Sequence, residues 1–376
     1  ARRILQVLAI VGEASSETVS RIGGTTVESA TLKLLSERGW ITADVNGAND
    51  VLAISHALLR EVTDAGTPAA LRQELHVACI QAAEGKEMPL EVHAMHAEHT
   101  EEPFQTLLLL ERMGDRAMAR GDDTAAAQAL RRGLELARRE LARGEMDEPE
   151  RAIVIFTRKL GEALVRAGDY AEAEGVLREG LGVASRTNPE WARLEGTLGR
   201  ALCARGRQAE GLRALENAVA AATRLGARGV ASELLVTRSE MESLARIHRD
   251  AVKSLEAADA QLTDAIRLAS PSDALRRMRA DLLLRLARAQ RMAGLNGEQV
   301  LVDARSLADE LGLVTVRAQC DAEAAERAEG AGDRRSALAA WRRALLSARS
   351  AGDVALESLY DERIRRLGRY DIGSGS

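Results

Sequence analysis

Three histidines spaced three apart, His93-x-x-His96-x-x-His99, lie among Glu91, Glu98, Glu101 and Glu102 and form the densest group of potential metal ligands or proton carriers in the chain. Zinc needs ligands that converge on one point, with further groups holding them in place. On a helix, residues at this spacing are neighbours pairwise but drift across the surface. The His-Glu-x-x-His arrangement of a metallopeptidase is missing. The cluster therefore reads as a polar helix at a junction, with His96 capping or packing, and no metal is expected. His56 and His76 read as hydrogen-bonding histidines buried between a β-hairpin and the helices after it. No Ser/His/Asp or Cys/His set assembles from local motifs. No Gly-x-x-x-x-Gly-Lys-Ser/Thr run supplies a phosphate-binding loop. The expectation is a chain with no catalytic residues and no cofactor, whose chemistry is recognition.

The elements that would carry recognition are clearest from Leu160 to Leu181. Leu160, Leu164, Leu177 and Leu181 recur at helical spacing, Gly161, Ala163, Ala173 and Gly180 are small, and Gly168-Asp169 separates the two stretches. This predicts two amphipathic helices approaching closely across a tight turn. One such hairpin cannot bury both faces, so neighbours are required. Copies of the signature occur around Gly114/Gly121-Asp122/Gly133, Gly199/Gly206/Ala218 and Ala325/Gly332-Asp333/Ala337/Ala344. Weaker copies pivot on His248, where no turn glycine stands, and on Gly294. These residues resemble the tetratricopeptide repeat, most specifically at Leu160, Gly161, Gly168, Asp169, Tyr170, Ala173 and Leu177, and again at Gly332, Asp333, Ala337, Trp341 and Ala344. The match departs at Thr157, where the repeat has Trp, and at Ser185, where it has Pro. The resemblance implies an α-solenoid over about 105–368.

Composition agrees with an all-α chain. Ala, Leu, Arg and Glu dominate its 376 residues, aromatic residues are 2 %, and there are only six prolines. All basic residues but Lys33, Lys86, Lys159 and Lys253 are arginine, as a GC-rich bacterial coding bias would produce. The net charge of −5, with both signs interleaved, is that of solvated helix faces and disfavours a nucleic-acid partner. Cys79, Cys203 and Cys320 stand far apart in apolar helical contexts, as expected of small buried residues in a reducing compartment. With no long apolar run and no signal peptide, no membrane is expected and the location is read as cytoplasmic. The chain opens in mid-helix pattern at Ala1 without Met and closes on Gly373-Ser-Gly-Ser376, which suggests an excised piece with a flexible or artificial linker at 369–376.

The first hundred residues have a different period. Helices are predicted over Arg2 to Val11, Glu17 to Ile22 and Val27 to Arg38, followed by strands at Gly39 to Asp44 and Val51 to Ser55 around a turn at Asn46 to Asp50. Three helices and a hairpin make a small winged-helix module at 1–75, with a helical junction at 76–104. Its first 70 residues carry eight acidic and six basic side chains, and the third helix lacks Asn or Gln for base contacts. Packing is favoured over DNA binding. The runs Ser55-His56-Ala57-Leu58-Leu59-Arg60-Glu61 and Arg72-Gln-Glu-Leu75-His76 resemble the stretch after the ATPase module of bacterial STAND-type regulators and kinase-ATPase fusions. That resemblance implies an upstream ATPase or kinase domain, then a winged helix, then a repeat sensor that binds a protein, a peptide or a small inducer. Other readings are a transcriptional regulator fragment and a stand-alone assembly adaptor. Projecting the repeats onto a superhelix places Asp115, Met118, Arg158, Glu162, Val165, Arg166, Arg200 and Cys203 in the partner groove, whose arginines suit carboxylates or acidic segments.

Overall fold

The computed structural model describes residues 1–44, 51–83, 88–144, 146–268 and 272–369. The expected turn at Asn46 to Asp50 and the tail at Gly373 to Ser376 lie outside them. Nineteen α-helices and three short strands make up the regular structure of the described residues. They divide into two compact units, Ala1–Ala163 and Leu164–Ser376.

The first unit begins α1 (Arg2–Val11), β1 (Glu13–Ser15), α2 (Ser16–Gly23), α3 (Ser29–Glu37), β2 (Ile41–Asp44) and β3 (Val51–Ile54). β3 is the central strand, antiparallel to both others, with Leu52 opposite Ala14 on one side and Ala43 on the other. Alternation turns Leu52 into the core beside Ile4, Val7, Leu8, Val19, Ile22, Leu35 and Ile41. β1 is an addition to the sequence reading, because three residues are too few to show a period. Ser15 accepts the Thr18 amide and starts α2 directly after that strand.

Four helices follow in this unit: α4 (Ala57–Ala65), α5 (Ala69–Ala82), α6 (Leu90–Ala97) and α7 (Pro103–Ala119). After them come α8 (Asp123–Arg143) and most of α9 (Pro149–Ala167). Leu75 and Cys79 of α5 complete the core of the N-terminal elements, so this helix runs through the expected boundary at 75. Arg60 donates to the Ala9 carbonyl at 2.8 Å and ties α4 to the end of α1. α7 and α8 form the first repeat hairpin. A Cβ on Gly114 would stand 2.6 Å from Leu130, and one on Gly133 would stand 2.0 Å from Phe156, so both close approaches depend on glycine.

The second unit continues with α10 (Tyr170–Val183), α11 (Pro189–Ala204), α12 (Gln208–Arg224), α13 (Arg228–Leu244) and α14 (His248–Leu268). It ends with α15 (Asp273–Met292), α16 (Glu298–Glu310), α17 (Val314–Gly330), α18 (Arg334–Ala351) and α19 (Val354–Arg369). Each helix packs on the next, and α11 on α13 and α15 on α17 also touch, which is hairpins stacked through their first helices. The fold is an all-α, tetratricopeptide-like helical-repeat array. Leu164, Ala173 and Leu177 are fully buried, and Trp341 is buried against Tyr360 with its indole N–H on Glu329.

One register is corrected. The turn equivalent to Gly206 is Arg246, two residues before His248, and Arg246 adopts the left-handed conformation at φ 62° where Gly206 has φ 82°. Both follow the last helical residue by two positions and precede the next helix by two, so the array continues through a turn without glycine. A side chain in this conformation is disfavoured. Arg246→Gly is expected to stabilise the protein by about 1 kcal/mol, read as a higher denaturant midpoint at unchanged slope. An unchanged or lower midpoint would mean that the Arg246 side chain makes contacts outweighing its backbone strain.

Candidate partner-binding face and a histidine cluster

Of the eight groove residues expected from the sequence, Asp115, Met118, Arg158 and Glu162 belong to the first unit and Val165, Arg166, Arg200 and Cys203 to the second. In the first unit, Asp115 is exposed but held by Lys159, whose Nζ lies 2.6 Å from Asp115 and 2.7 Å from Glu111. Arg158 pairs with Glu162 one turn on, at 2.8 Å, and Met118 is half-buried. The charges of this face are therefore committed to one another. The same stripe of α7 that carries Glu111 and Asp115 begins with Phe104 and Leu108, at i and i+4. Phe104 is 71 % exposed and Leu108 47 %, so the open feature of the face is apolar.

In the second unit, Arg166 is exposed and Arg200 half-exposed, while Val165 and Cys203 are buried. The Cys203 thiol lies against Gly211 and faces the Gln208 carbonyl at 3.9 Å, in the seam with α12. It belongs to the hairpin interior, because Gly211 removes the side chain that would have displaced it. The first-helix face is laced by ion pairs from each hairpin to the next. Arg193 reaches Glu233 at 3.6 Å, Arg285 reaches Glu240 at 2.6 Å, and Arg291 grips Glu323 through two bonds of 2.8 and 3.1 Å. Between α13 and α15 these charges surround a cavity of about 210 Å³ floored by Val236, Met278 and Leu282.

The histidines are brought together across sequence. His76 on α5 and His96 on α6 are buried with their Nδ1 atoms 2.9 Å apart, and His99 stacks on His76 at 4.2 Å between ring centroids. His56, expected to be buried, is exposed at the start of α4. Burial, followed by the neighbouring His99, His96 and Arg72, holds the His76 imidazole down to about pKa 3. Burial and then His99 and His93 hold His96 below its ordinary value. No group of three or more potential ligands among the described residues is arranged to hold a metal ion. Arg72 donates to Asp64 at 3.1 Å and His99 and Arg72 together line a cleft of about 1110 Å³ facing α8. The cleft's Arg132 pairs with Glu98, and its Arg143 with Glu140.

All three cysteines are free and buried. Burial pushes the thiol of Cys79 up to about 11 and that of Cys320 up to about 12, and raises Cys203, so none is a poised nucleophile. No described helix is long and apolar enough to cross a membrane.

No protein-family model matches the sequence, and neither does any curated protein. Among solved structures, the chain is similar to a Signal Transduction ATPase with Numerous Domains (STAND) protein with a tetratricopeptide repeat sensor from Pyrococcus horikoshii. That similarity has a TM-score of 0.51 and 12 % identity, and covers 99 % of this chain. The chain spans 56 % of the length of that protein. It is also similar to tetratricopeptide-like repeats of a putative kinesin light chain from Podosopora anserina, with a TM-score of 0.43 and 18 % identity over 56 % of this chain and 97 % of that one. The likeness to the STAND protein is one of fold and agrees with a tetratricopeptide-like helical repeat.

Glu323 tests the weight of the lacing. Its side chain is only 1 % exposed, and Arg291 from the preceding hairpin satisfies both oxygens. Arg291 is 30 % exposed and also pairs with Glu326, so Glu323→Gln loses charged hydrogen bonds without stranding a buried charge and is expected to cost about 1.5 kcal/mol in equilibrium denaturation. A loss below about 0.5 kcal/mol would show that the pair behaves as a solvated surface bridge.

Proposed function

We propose that this chain is the non-catalytic sensor or scaffold part of a bacterial, cytoplasmic signal-transduction regulator. Its repeats take a protein, a peptide or a small inducer, and through that binding they control an ATPase or kinase domain upstream in the same chain. The observation that carries the proposal is the first-helix face. It presents open apolar side chains, Phe104 and Leu108 in the first unit and the floor around Met278 in the second, among charges already neutralised within the protein. Such a surface recognises by apolar anchors inside a polar rim. Likeness in fold to the STAND protein, over nearly the whole of this chain, supports the regulator reading over a stand-alone adaptor.

The proposed division is a winged-helix module at 1–75, a junction at 76–104 and the superhelix at 105–368. The element order of α1 to β3, with β3 central in the sheet, supports the first of these. A DNA-reading role for that module is disfavoured by its charges. Lys33 on α3 lies 4.0 Å from Glu37, and Arg38 lies over the ring of Trp40. Exposed Arg166 and half-exposed Arg200 are proposed as partner-binding residues of the second unit, and Asp115, Met118, Arg158 and Glu162 as those of the first.

The test is native co-purification from the source cells, quantified by mass spectrometry. Phe104→Ala with Leu108→Ala, or Met278→Ala, is compared with Leu58→Ala, an exposed apolar residue on α4. A bound partner is expected to fall by about tenfold or more with the face variants and to be unchanged with the control. Equal recovery from all of them would reject the face as the binding surface.

A further inference from the structure

His76 and His96 are 5 % and 3 % exposed, and they join two helices across 20 residues of sequence. Their Nδ1 atoms at 2.9 Å share one proton: one nitrogen donates and the other must accept. A second proton would set two donors against each other between two rings that are almost wholly buried. His99 covers the His76 ring at 4.2 Å and closes one side. The charges facing the pair are Arg72 on α5, Arg60, Glu61 and Asp64 on α4, His93 on α6 and His99 just after it, with the Glu98–Arg132 pair beside the stacked ring. Arg72 and Arg60 are positive, and Asp64 is taken up by Arg72. Among the described residues no carboxylate accepts a hydrogen bond from either imidazole, and Glu61, which lines the same cavity as His76, is exposed to screening solvent.

We propose that the His76–His96 contact is an acid-operated latch, closed while the pair holds a single shared proton and released when both imidazoles are charged. It holds α5, which completes the N-terminal core, to α6, which packs on the first repeat hairpin. Release therefore uncouples the N-terminal elements from the hairpin inside the first unit. It also moves Arg72 and His99, which line the cleft of about 1110 Å³ as well as the smaller cavity of about 460 Å³ against α1 and α4.

The direction in pH follows from linkage. Both imidazoles have a lowered affinity for protons when buried, so the open form binds protons that the closed form excludes. The latch contributes its full stability above the ordinary imidazole pKa near 6.5 and loses it as the pH falls below that value. Between about pH 7.5 and about pH 5.5, opening should become at least ~10-fold more favourable through His76, with His96 adding in the same direction.

The experiment is amide hydrogen exchange on the whole chain at those two pH values, corrected for intrinsic exchange. The opening constant of Ala69–Ala82 and Leu90–Ala97 is expected to rise at least ~10-fold in acid while α11 to α18 stay unchanged. The double substitution His76→Gln with His96→Gln keeps hydrogen-bonding groups that do not titrate and is expected to remove the rise. An equal rise in that variant, no rise in the native protein, or a rise spread evenly over all helices would overturn the proposal. Should the variant fail to fold, NMR titration of the imidazoles in the native protein decides. Ordinary titration of His76 and His96 near pH 6.5 with α5 and α6 still protected would overturn the latch, and titration coupled to loss of that protection supports it.

Discussion

The repeat array depends on two helices coming close enough to share one layer of side chains. At Gly114 and Gly199 the opposing leucine occupies the space where a Cβ would be, 2.6 Å from Leu130 and 2.7 Å from Leu215. At Gly196 the same holds between successive first helices, with Leu234 at 2.1 Å. Glycine inside a helix costs about 1 kcal/mol in propensity. Contact between the helices along their length offsets that cost, because packing density is won at every turn once the axes approach. A methyl group at these points would push apart the hairpin and every contact it supports.

Charge then decides how the array presents itself. The arginine-rich composition could have produced a cationic face, but Arg285, Arg291 and Lys159 reach carboxylates on the adjacent hairpin. Such pairs join neighbouring repeats and favour one stacking register over slipped ones, at little net gain in stability. They also leave Phe104 and Leu108 as the open apolar side chains of α7 beside paired charges.

At the N-terminal end, residues that look functional by motif serve as ties. Arg60 fastens α4 to α1, Arg72 binds Asp64 near the end of α4, and His76 reaches α6. Each makes a polar contact where short helices bury too little apolar surface to fix their mutual angle. α4 has no buried residue at all, so the Arg60 and Arg72 contacts are what orient it. Polar ties of this kind are more sensitive to solution conditions than an apolar core, which is why the junction is where a protonation-dependent element resides.

What the sequence determined by itself is local and periodic. The hairpin from Leu160 to Leu181 was legible because a helix repeats every 3.6 residues and a tight turn needs a residue that tolerates positive φ, as Gly168 does at 89°. The helices of the N-terminal module and two of its strands were legible for the same reason. The tertiary structure alone decided the rest. β1 exists because Glu13 to Ser15 finds the free edge of β3, a pairing that three residues cannot announce. Arg246 takes the left-handed turn because α13 and α14 on either side of it are held by packing. Cys203 turned inward because Gly211 left room, and Val165 because burial claimed its side of the helix. His76 met His96 and His99 because α5 and α6 fold against each other, and that contact has no signature in either segment. Local preference is written in neighbouring residues, whereas the partner of a buried polar group is chosen by which surfaces the chain brings together.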